Sequence, residues 1–319
     1  SIVYMHKNKS LLITGATGTF GTQVLEKIQK NNFFKKIIIF SRDENKQFYL
    51  QNQFSKDKKF FKKLRFFIGD VRDKERLIKA FREVDYVLHA AALKHVLAME
   101  YNPEECIKTN ILGTQNVIEC SINAKVKKCL LISTDKAVSP INLYGATKLC
   151  AEKLFLSANF YGMKKTIFSI LRYGNVSGSR GSLFEIMEND KNINITSPNM
   201  TRFHITKKEA ISHAINCLDK MIGGEIFIPI SRSYKLSHIM RIYDNKKYSI
   251  IGKKRGEKLH ESLISEAEDL NVFYEKNLYI LFGNKKYKKL KPTKINLPFS
   301  SNDKKNIYSY SELKKILKG

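Results

Sequence analysis

LLITGATGTFG, residues 11–21, decides the fold. A short apolar run ends in a turn where Gly15, Gly18 and Gly21 recur at every third position, and Val24, Leu25 and Ile28 then repeat at helical spacing. Glycine lets a backbone approach a pyrophosphate closely, and the N-terminus of the helix that follows attracts negative charge. Alone such a triplet is weak; between a first strand and a first helix it has the context that dinucleotide binding requires. Gly15, Thr17, Gly18, Thr19, Phe20 and Gly21 are therefore candidate cofactor contacts.

Outward from this turn the alternation continues. KKIIIFS (35–41), LRFFIGDV (64–71), DYVLHAAA (85–92), KKCLLIST (127–134) and KTIFSILRYGNV (165–176) read as strands. Helical patterns cover residues 74–84, 103–124 and 143–162. Apolar strands alternating with helices imply a parallel sheet covered on both faces, an α/β doubly wound Rossmann fold of at least six strands. After Val176 the rhythm breaks, and the last third is lysine-rich, with KKYKKLK at 285–291. The expectation is a dinucleotide-binding domain over 8–174 plus about 205–230, and a smaller lobe over about 175–204 plus 231–319.

SRDENK (41–46) follows the second strand and puts Ser41, Arg42 and Lys46 where an adenosine ribose would lie. Arg42 with Lys46 favours the 2′-phosphate of NADP, while Asp43 keeps NAD open. Asp70 and Val71 after the third strand fall near the adenine, and Ala90 after the fourth borders the phosphates. Ser133 and Thr134 end the fifth strand, and Tyr144 and Lys148 lie four apart on the next helix, where they share a face. An ammonium beside a phenol stabilises phenolate, which suits Tyr144 to take a hydroxyl proton during hydride transfer.

The chain carries 57 Lys plus Arg against 30 Asp plus Glu, a net charge of +27. That raises nucleic acid or an anionic surface as partners. An RNA-associated protein would need basic and aromatic residues clustered on one face and no intact catalytic set, so the motifs argue against nucleic acid. No apolar run reaches the roughly 18–20 residues of a membrane span, and residues 1–9 lack the stretch a secretory leader needs, so neither membrane insertion nor a leader is expected. The five cysteines are odd in number and form no C-x-x-C pair, which fits a reducing cytoplasm with no disulfide framework and no metal site.

At these residues the sequence resembles the extended short-chain dehydrogenase/reductases. FIGDVRD (67–73), HAAALKHV (89–96), YNPEECIKTNILGTQNVI (101–118), STDKA (133–137), PINLYGATKL (140–149), RYGNVSGSRGS (172–182), MTRF (200–203) and GEIF-P (224–229) narrow the likeness. They resemble the soluble, C5-inverting UDP-N-acetylglucosamine 4,6-dehydratases that open the pseudaminic acid pathway. The resemblance implies tightly bound NADP, a UDP-N-acetylglucosamine substrate, a sugar-nucleotide-binding C-terminal lobe and a homo-oligomer, dimer or hexamer. It implies Lys136 as the base at sugar C5, Asp135 as the acid that helps expel the C6 hydroxyl, and Thr134, Tyr144 and Lys148 as the oxidation set. It also implies Lys94 between nicotinamide and sugar, Asn175 on substrate, Arg202 on the diphosphate and Glu257 on the uridine ribose. Where the family carries Arg-Pro, this chain has Lys254 at the Arg position and Arg255 at the Pro position; either supplies the charge, but Lys cannot make the planar two-bond contact. Glu185 and His204 stand where apolar residues are usual. A UDP-hexosamine 4-epimerase or a C5-retaining dehydratase on the same fold is the competing reading. The epimerase has no need of Asp135-Lys136, and the retaining enzymes carry Met at the position of Tyr144.

Overall fold

The computed structural model describes residues 6–161, 165–178, 182–268 and 270–318. Residues 179–181 of the RYGNVSGSRGS stretch lie outside the described residues.

Six strands form in the expected order: β1 (Ser10–Thr14), β2 (Lys36–Ser41), β3 (Leu64–Ile68), β4 (Tyr86–His89), β5 (Lys128–Thr134) and β6 (Ile167–Tyr173). They pair in parallel as β3-β2-β1-β4-β5-β6. The sheet reverses direction of growth at β1, and ligand crevices of doubly wound folds lie at such a switch point. Every residue of β1 is buried, because helices cover both faces. On one face α1 (Thr19–Asn31) and α2 (Glu44–Phe54) bury Val24, Leu25, Ile28, Leu50 and Phe54. On the other, α3 (Lys74–Ala80), α4 (Gly113–Asn123) and α5 (Leu143–Tyr161) bury Leu77, Val117, Ile118, Ala151 and Phe155.

The strand expected over 165–176 stops at Tyr173. Gly174 carries the chain out of the sheet, and a Cβ there would fall 2.5 Å from Phe203 Cβ. The next strands are β7 (Asn175–Val176), β8 (Asn192–Ile195) and β9 (Thr201–Ile205), followed by α6 (Lys207–Lys220), β10 (Ile226–Pro229), β11 (Arg232–Lys235) and β12 (Lys247–Ile250). β11-β9-β7 form a small sheet, and β8 pairs with β12. A separate apolar core of Phe184, Met187, Ile193, Tyr234 and Ile239 holds this lobe together.

Residues 271–282 fall within the expected second lobe but join the large sheet instead. After β13 (Ser262–Ile264), β14 (Asn271–Glu275) and β15 (Leu278–Phe282) form a hairpin, and β15 runs antiparallel to β10, which itself pairs in parallel with β6. The sheet therefore has nine strands. The hairpin's apolar side chains, Val272, Phe273, Ile280 and Leu281, find cover on the main sheet rather than on the small lobe. A last short strand, β16 (Phe299–Ser300), pairs with β13. Among the described residues no helix is long and apolar enough to cross a membrane.

Candidate active site

A cavity of about 480 Å³ opens at the β1 switch point. Gly15, Thr17, Gly18, Thr19 and Phe20 line it, with Ser41, Arg42, Lys46, Asp70, Val71, Ala90, Lys94, Ser133, Thr134, Tyr144 and Lys148. Gly15 has φ +67°, and a Cβ there would fall 2.8 Å from Ala91 N, so only glycine fits this turn. Gly21 works differently. It is outside the lining, and a Cβ there would meet Ala16 Cα at 2.4 Å, so it lets α1 pack onto its own loop. The alanine loop is held from below: Thr14 Oγ1 accepts from Ala90 N and Ala91 N at 3.2 Å each and contacts buried His89 Nδ1 at 2.7 Å.

Where the sequence places the adenosine, Asp43 is committed locally. It caps α2, accepting from Lys46 N at 2.9 Å, and pairs with Lys46 Nζ at 3.3 Å. Arg42 is half exposed and lies 3.6 Å from Asp70. Burial would raise the Asp70 carboxyl, but Arg72 outweighs it and holds Asp70 below the usual carboxylate range. Lys207, on the first turn of α6, and Gln23 also line the cavity. Sequence reasoning missed both, since neither belongs to a motif.

The turn that carries the candidate catalytic residues, called the catalytic turn on that expectation, is built by three elements. β5 delivers Ser133 and Thr134, a 3₁₀ turn holds Asp135 and Lys136, and α5 opens at Leu143, which brings in Tyr144. The helix preceding it, expected to run unbroken over 103–124, is instead Pro103–Ile107, a π-helical turn at Lys108–Leu112, then α4. That turn aims Asn110 at Leu93, accepting from its N at 2.9 Å and donating to its carbonyl at 3.0 Å, and Nδ2 reaches Thr147 Oγ1 at 3.1 Å. Asn110 thus links the Lys94 loop to α5. Thr134 Oγ1 donates to Asp135 Oδ1 at 3.0 Å and accepts from Lys136 N at 3.3 Å. Burial pushes the Tyr144 phenol up to about 12 and brings the Lys148 ammonium down to about 8. Lys148 Nζ donates to the Ile132 carbonyl at 2.8 Å.

Lys136 Nζ lies 3.2 Å from Asp135 Oδ1 and 3.7 Å from Glu261 Oε1. Burial alone would lower its pKa, but Asp135 and then Glu261 outweigh it and hold the ammonium above its usual value. Asp135 is fully buried, and its Oδ2 has no hydrogen-bond partner. Behind Lys148 runs a buried ion network in which Arg172 bridges Glu152 and Glu268 at 2.6 and 2.7 Å, and Ser133 Oγ donates to Glu152 at 2.5 Å. Ser133 is therefore fixed as much by this network as by the cavity it lines.

A second cavity of about 290 Å³ adjoins the first and shares Lys94, Thr134 and Tyr144 with it; Lys136, Asn175, Phe184 and Tyr234 complete its wall. Asn175 Oδ1 is buried there without a partner. Arg202, Glu257, Lys254 and Arg255, expected on substrate, line neither cavity: Arg202 is on β9 and the other three lie on the 254–260 segment. Arg202 donates to the carbonyls of Lys258 and Leu259 and lies 3.9 Å from Glu257, which accepts from Thr196 Oγ1 at 2.6 Å. Lys254 and Arg255 are exposed. This segment is tied to the catalytic turn: Lys258 Nζ donates to the Val138 carbonyl at 2.6 Å and Asn142 Nδ2 to the Gly256 carbonyl at 2.8 Å. His204 and Glu185, the two departures noted from sequence, sit near here. His204 is buried against Phe184 and Tyr308, and burial lowers its pKa.

A glycine turn at the switch point, a buried Tyr-x-x-x-Lys and a Thr at the end of β5 together define a short-chain dehydrogenase/reductase of the extended type. The chain belongs to the family described as polysaccharide biosynthesis protein, whose profile matches residues 11–281. It is 48% identical over 285 residues, 87% of this chain and 84% of the relative, to a UDP-N-acetylglucosamine 4,6-dehydratase (inverting) of Campylobacter jejuni. It is 40% identical over 288 residues, 85% of this chain and 83% of the relative, to a protein of Rickettsia akari named UDP-glucose 4-epimerase. The solved structure of Pen from Bacillus thuringiensis superposes with a TM-score of 0.90 at 37% identity, covering 98% of both chains.

Proposed function

We propose that the chain is a C5-inverting UDP-N-acetylglucosamine 4,6-dehydratase that works with a nicotinamide dinucleotide, NADP in preference to NAD. The observation that carries this reading is Lys136 beside Thr134 and Tyr144 in the wall of the second cavity, with Asp135 buried behind it, 3.2 Å from its Nζ. The name of the Campylobacter relative agrees with it.

The cofactor cradle fits a dinucleotide: Gly15 leaves room that a Cβ would fill, and Arg42 and Lys46 stand at the adenosine end. Asp43, the residue that favours NAD, is occupied in capping α2, which supports NADP. When bound, the nicotinamide supplies a hydride acceptor for sugar C4 and a donor for C6. Tyr144, once ionised, takes the C4 hydroxyl proton, with Thr134 on the same cavity wall and Lys148 one turn further along α5. The resulting 4-ketone acidifies C5, whose proton goes to neutral Lys136. Asp135 protonates the departing C6 hydroxyl, water leaves, and C5 is protonated on the opposite face. Lys94 and Asn175 line the sugar cavity, and Arg202, Glu257 and Lys254 or Arg255 take the uridine diphosphate end. The product is UDP-2-acetamido-2,6-dideoxy-β-L-arabino-hex-4-ulose. The reading extends, by resemblance, to a cytoplasmic homo-oligomer that supplies the pseudaminic acid pathway.

The test is incubation with UDP-N-acetylglucosamine and NADP in deuterated water, followed by NMR. A 4-keto-6-deoxy sugar of L-arabino configuration with deuterium at C5 is the expected product. A galacto-configured sugar that has lost no water would replace this reading with the 4-epimerase one, which gives Asp135 and Lys136 no task.

A further inference from the structure

Glu261 touches the catalytic turn yet has no task in the reaction above. It is 3% exposed, at the entry to β13, far along the chain from Lys136. Its backbone is clamped: Glu261 N donates to Ser301 Oγ at 2.9 Å, and its carbonyl accepts from Ser301 N at 2.8 Å. The side chain is thereby held with Oε1 3.7 Å from Lys136 Nζ. Among the described residues Oε2 has no hydrogen-bond partner, and Lys258 Nζ lies 3.7 Å from it. A buried carboxylate so poorly satisfied is a poor way to stabilise a fold, because its desolvation is not recovered. Its placement against a reacting group calls for a functional explanation.

We infer that Glu261 is a positioning residue for the base: with Asp135 it aims Lys136 Nζ, and it holds that nitrogen while a proton passes from it to Asp135. This rests on the dehydratase reading. A general base must be neutral, whereas two carboxylates within 4 Å favour the ammonium form. The transfer runs along the hydrogen bond that exists: the Lys136 N–H bond breaks, an O–H bond forms on Asp135 Oδ1 3.2 Å away, and both groups end neutral, while Glu261 Oε1, at 3.7 Å, stays outside hydrogen-bond reach and holds the nitrogen in place. Burial, then Asp135, raise the Glu261 carboxyl above its usual value, against the opposing pull of Lys136, Arg202 and Lys258. The titratable groups facing the pair are Asp135 on the catalytic turn, Arg202 on β9 and Lys258 on Glu261's own segment, with the phenols of Tyr144 on α5 and Tyr234 on β11 facing Lys136.

The experiment compares wild type, Glu261→Gln and Glu261→Asp in full pH profiles of kcat and KM for UDP-N-acetylglucosamine. Solvent deuterium uptake at C5 is followed separately from hydride transfer at C4. In E261Q, loss of the anion moves the acid limb of kcat down by about one pH unit and lowers plateau kcat roughly tenfold through loss of aim. C5 exchange falls with it, while KM, NADP affinity and C4 oxidation stay within about threefold. E261D keeps the charge and returns the limb towards the wild-type position, and it carries the test if E261Q does not fold. An E261Q profile superimposable on wild type, or an E261D limb displaced as far as that of E261Q, overturns the inference. Failure of the wild type itself to release dehydrated product refutes the parent reading instead.

Discussion

Gly145→Ala should be far more damaging than its place in a helix suggests. Alanine in a helix interior is ordinarily favoured over glycine by about 1 kcal/mol. Here the added methyl would lie 2.2 Å from the Lys136 carbonyl oxygen, 3.1 Å from its carbon and 3.1 Å from Pro140 Cβ. Ordinary contact needs roughly 3.5 Å, so α5 must retreat from the catalytic turn by about 1 Å. It has little slack. Gly145 N is bound to Asn142 Oδ1 at 2.7 Å, and Leu143 N to Glu100 Oε1 at 2.7 Å. Overpacking of this kind costs about 1–3 kcal/mol, so after the gain in propensity the net loss is about 0–2 kcal/mol and Tm falls by a few degrees at most. Activity suffers more, because the retreat carries Tyr144 away from Lys136 and Thr134, and a misplacement of about 1 Å costs on the order of a hundredfold in turnover. Dehydration rate and thermal melting, measured on the same preparation, separate the two effects. Turnover within threefold of wild type with an unchanged or higher Tm would show that α5 does not bear on the turn as described.

Two further outcomes follow from the cofactor half. Arg42→Ala should weaken NADP binding by roughly 1.5–3 kcal/mol, about the worth of one charge-assisted contact, and leave NAD binding nearly unchanged. Calorimetry with both dinucleotides decides it, and equal losses would remove Arg42 from the 2′-phosphate. His89 is fully buried, and burial drives its pKa down from 6.5 to about 3, so the native state holds it neutral while the unfolded chain takes up a proton. Its contribution to stability is complete above about pH 6.5 and is lost as pH falls towards 3, by up to about 1.4 kcal/mol per pH unit. In urea unfolding between pH 6 and 4, His89→Gln should therefore show a shallower fall than wild type; parallel slopes would contradict the burial argument.

What the sequence made legible was local. The first turn, β1 through β6 and the Thr134–Tyr144–Lys148 set all sit within motifs whose spacing is itself the geometry. Glu261 and Lys207 reach the site from distant elements, and no spacing relates them to Lys136 or to the glycine turn. Gly21 was legible as an invariant of the pattern's spacing but not for its work against Ala16, which depends on how closely α1 returns over its loop. The π-helical turn at Lys108–Leu112 was hidden because its extra residue leaves the apolar pattern intact. LYILF at 278–282 escaped notice because a short run amid lysines resembles a surface loop, and its partner β10 lies some fifty residues earlier.

That hairpin changes what a minimal version of this protein would be. β10 is buried throughout, and β15 covers one of its two hydrogen-bonding sides. A chain cut before Asn271 would keep the glycine turn, the catalytic turn and α6, yet leave IFIP with its backbone donors and acceptors open along an apolar strand. Such a rim recruits strands from other molecules. The expected fate of the truncated protein is self-association on expression, and trimming toward a compact catalytic unit has to begin beyond Phe282.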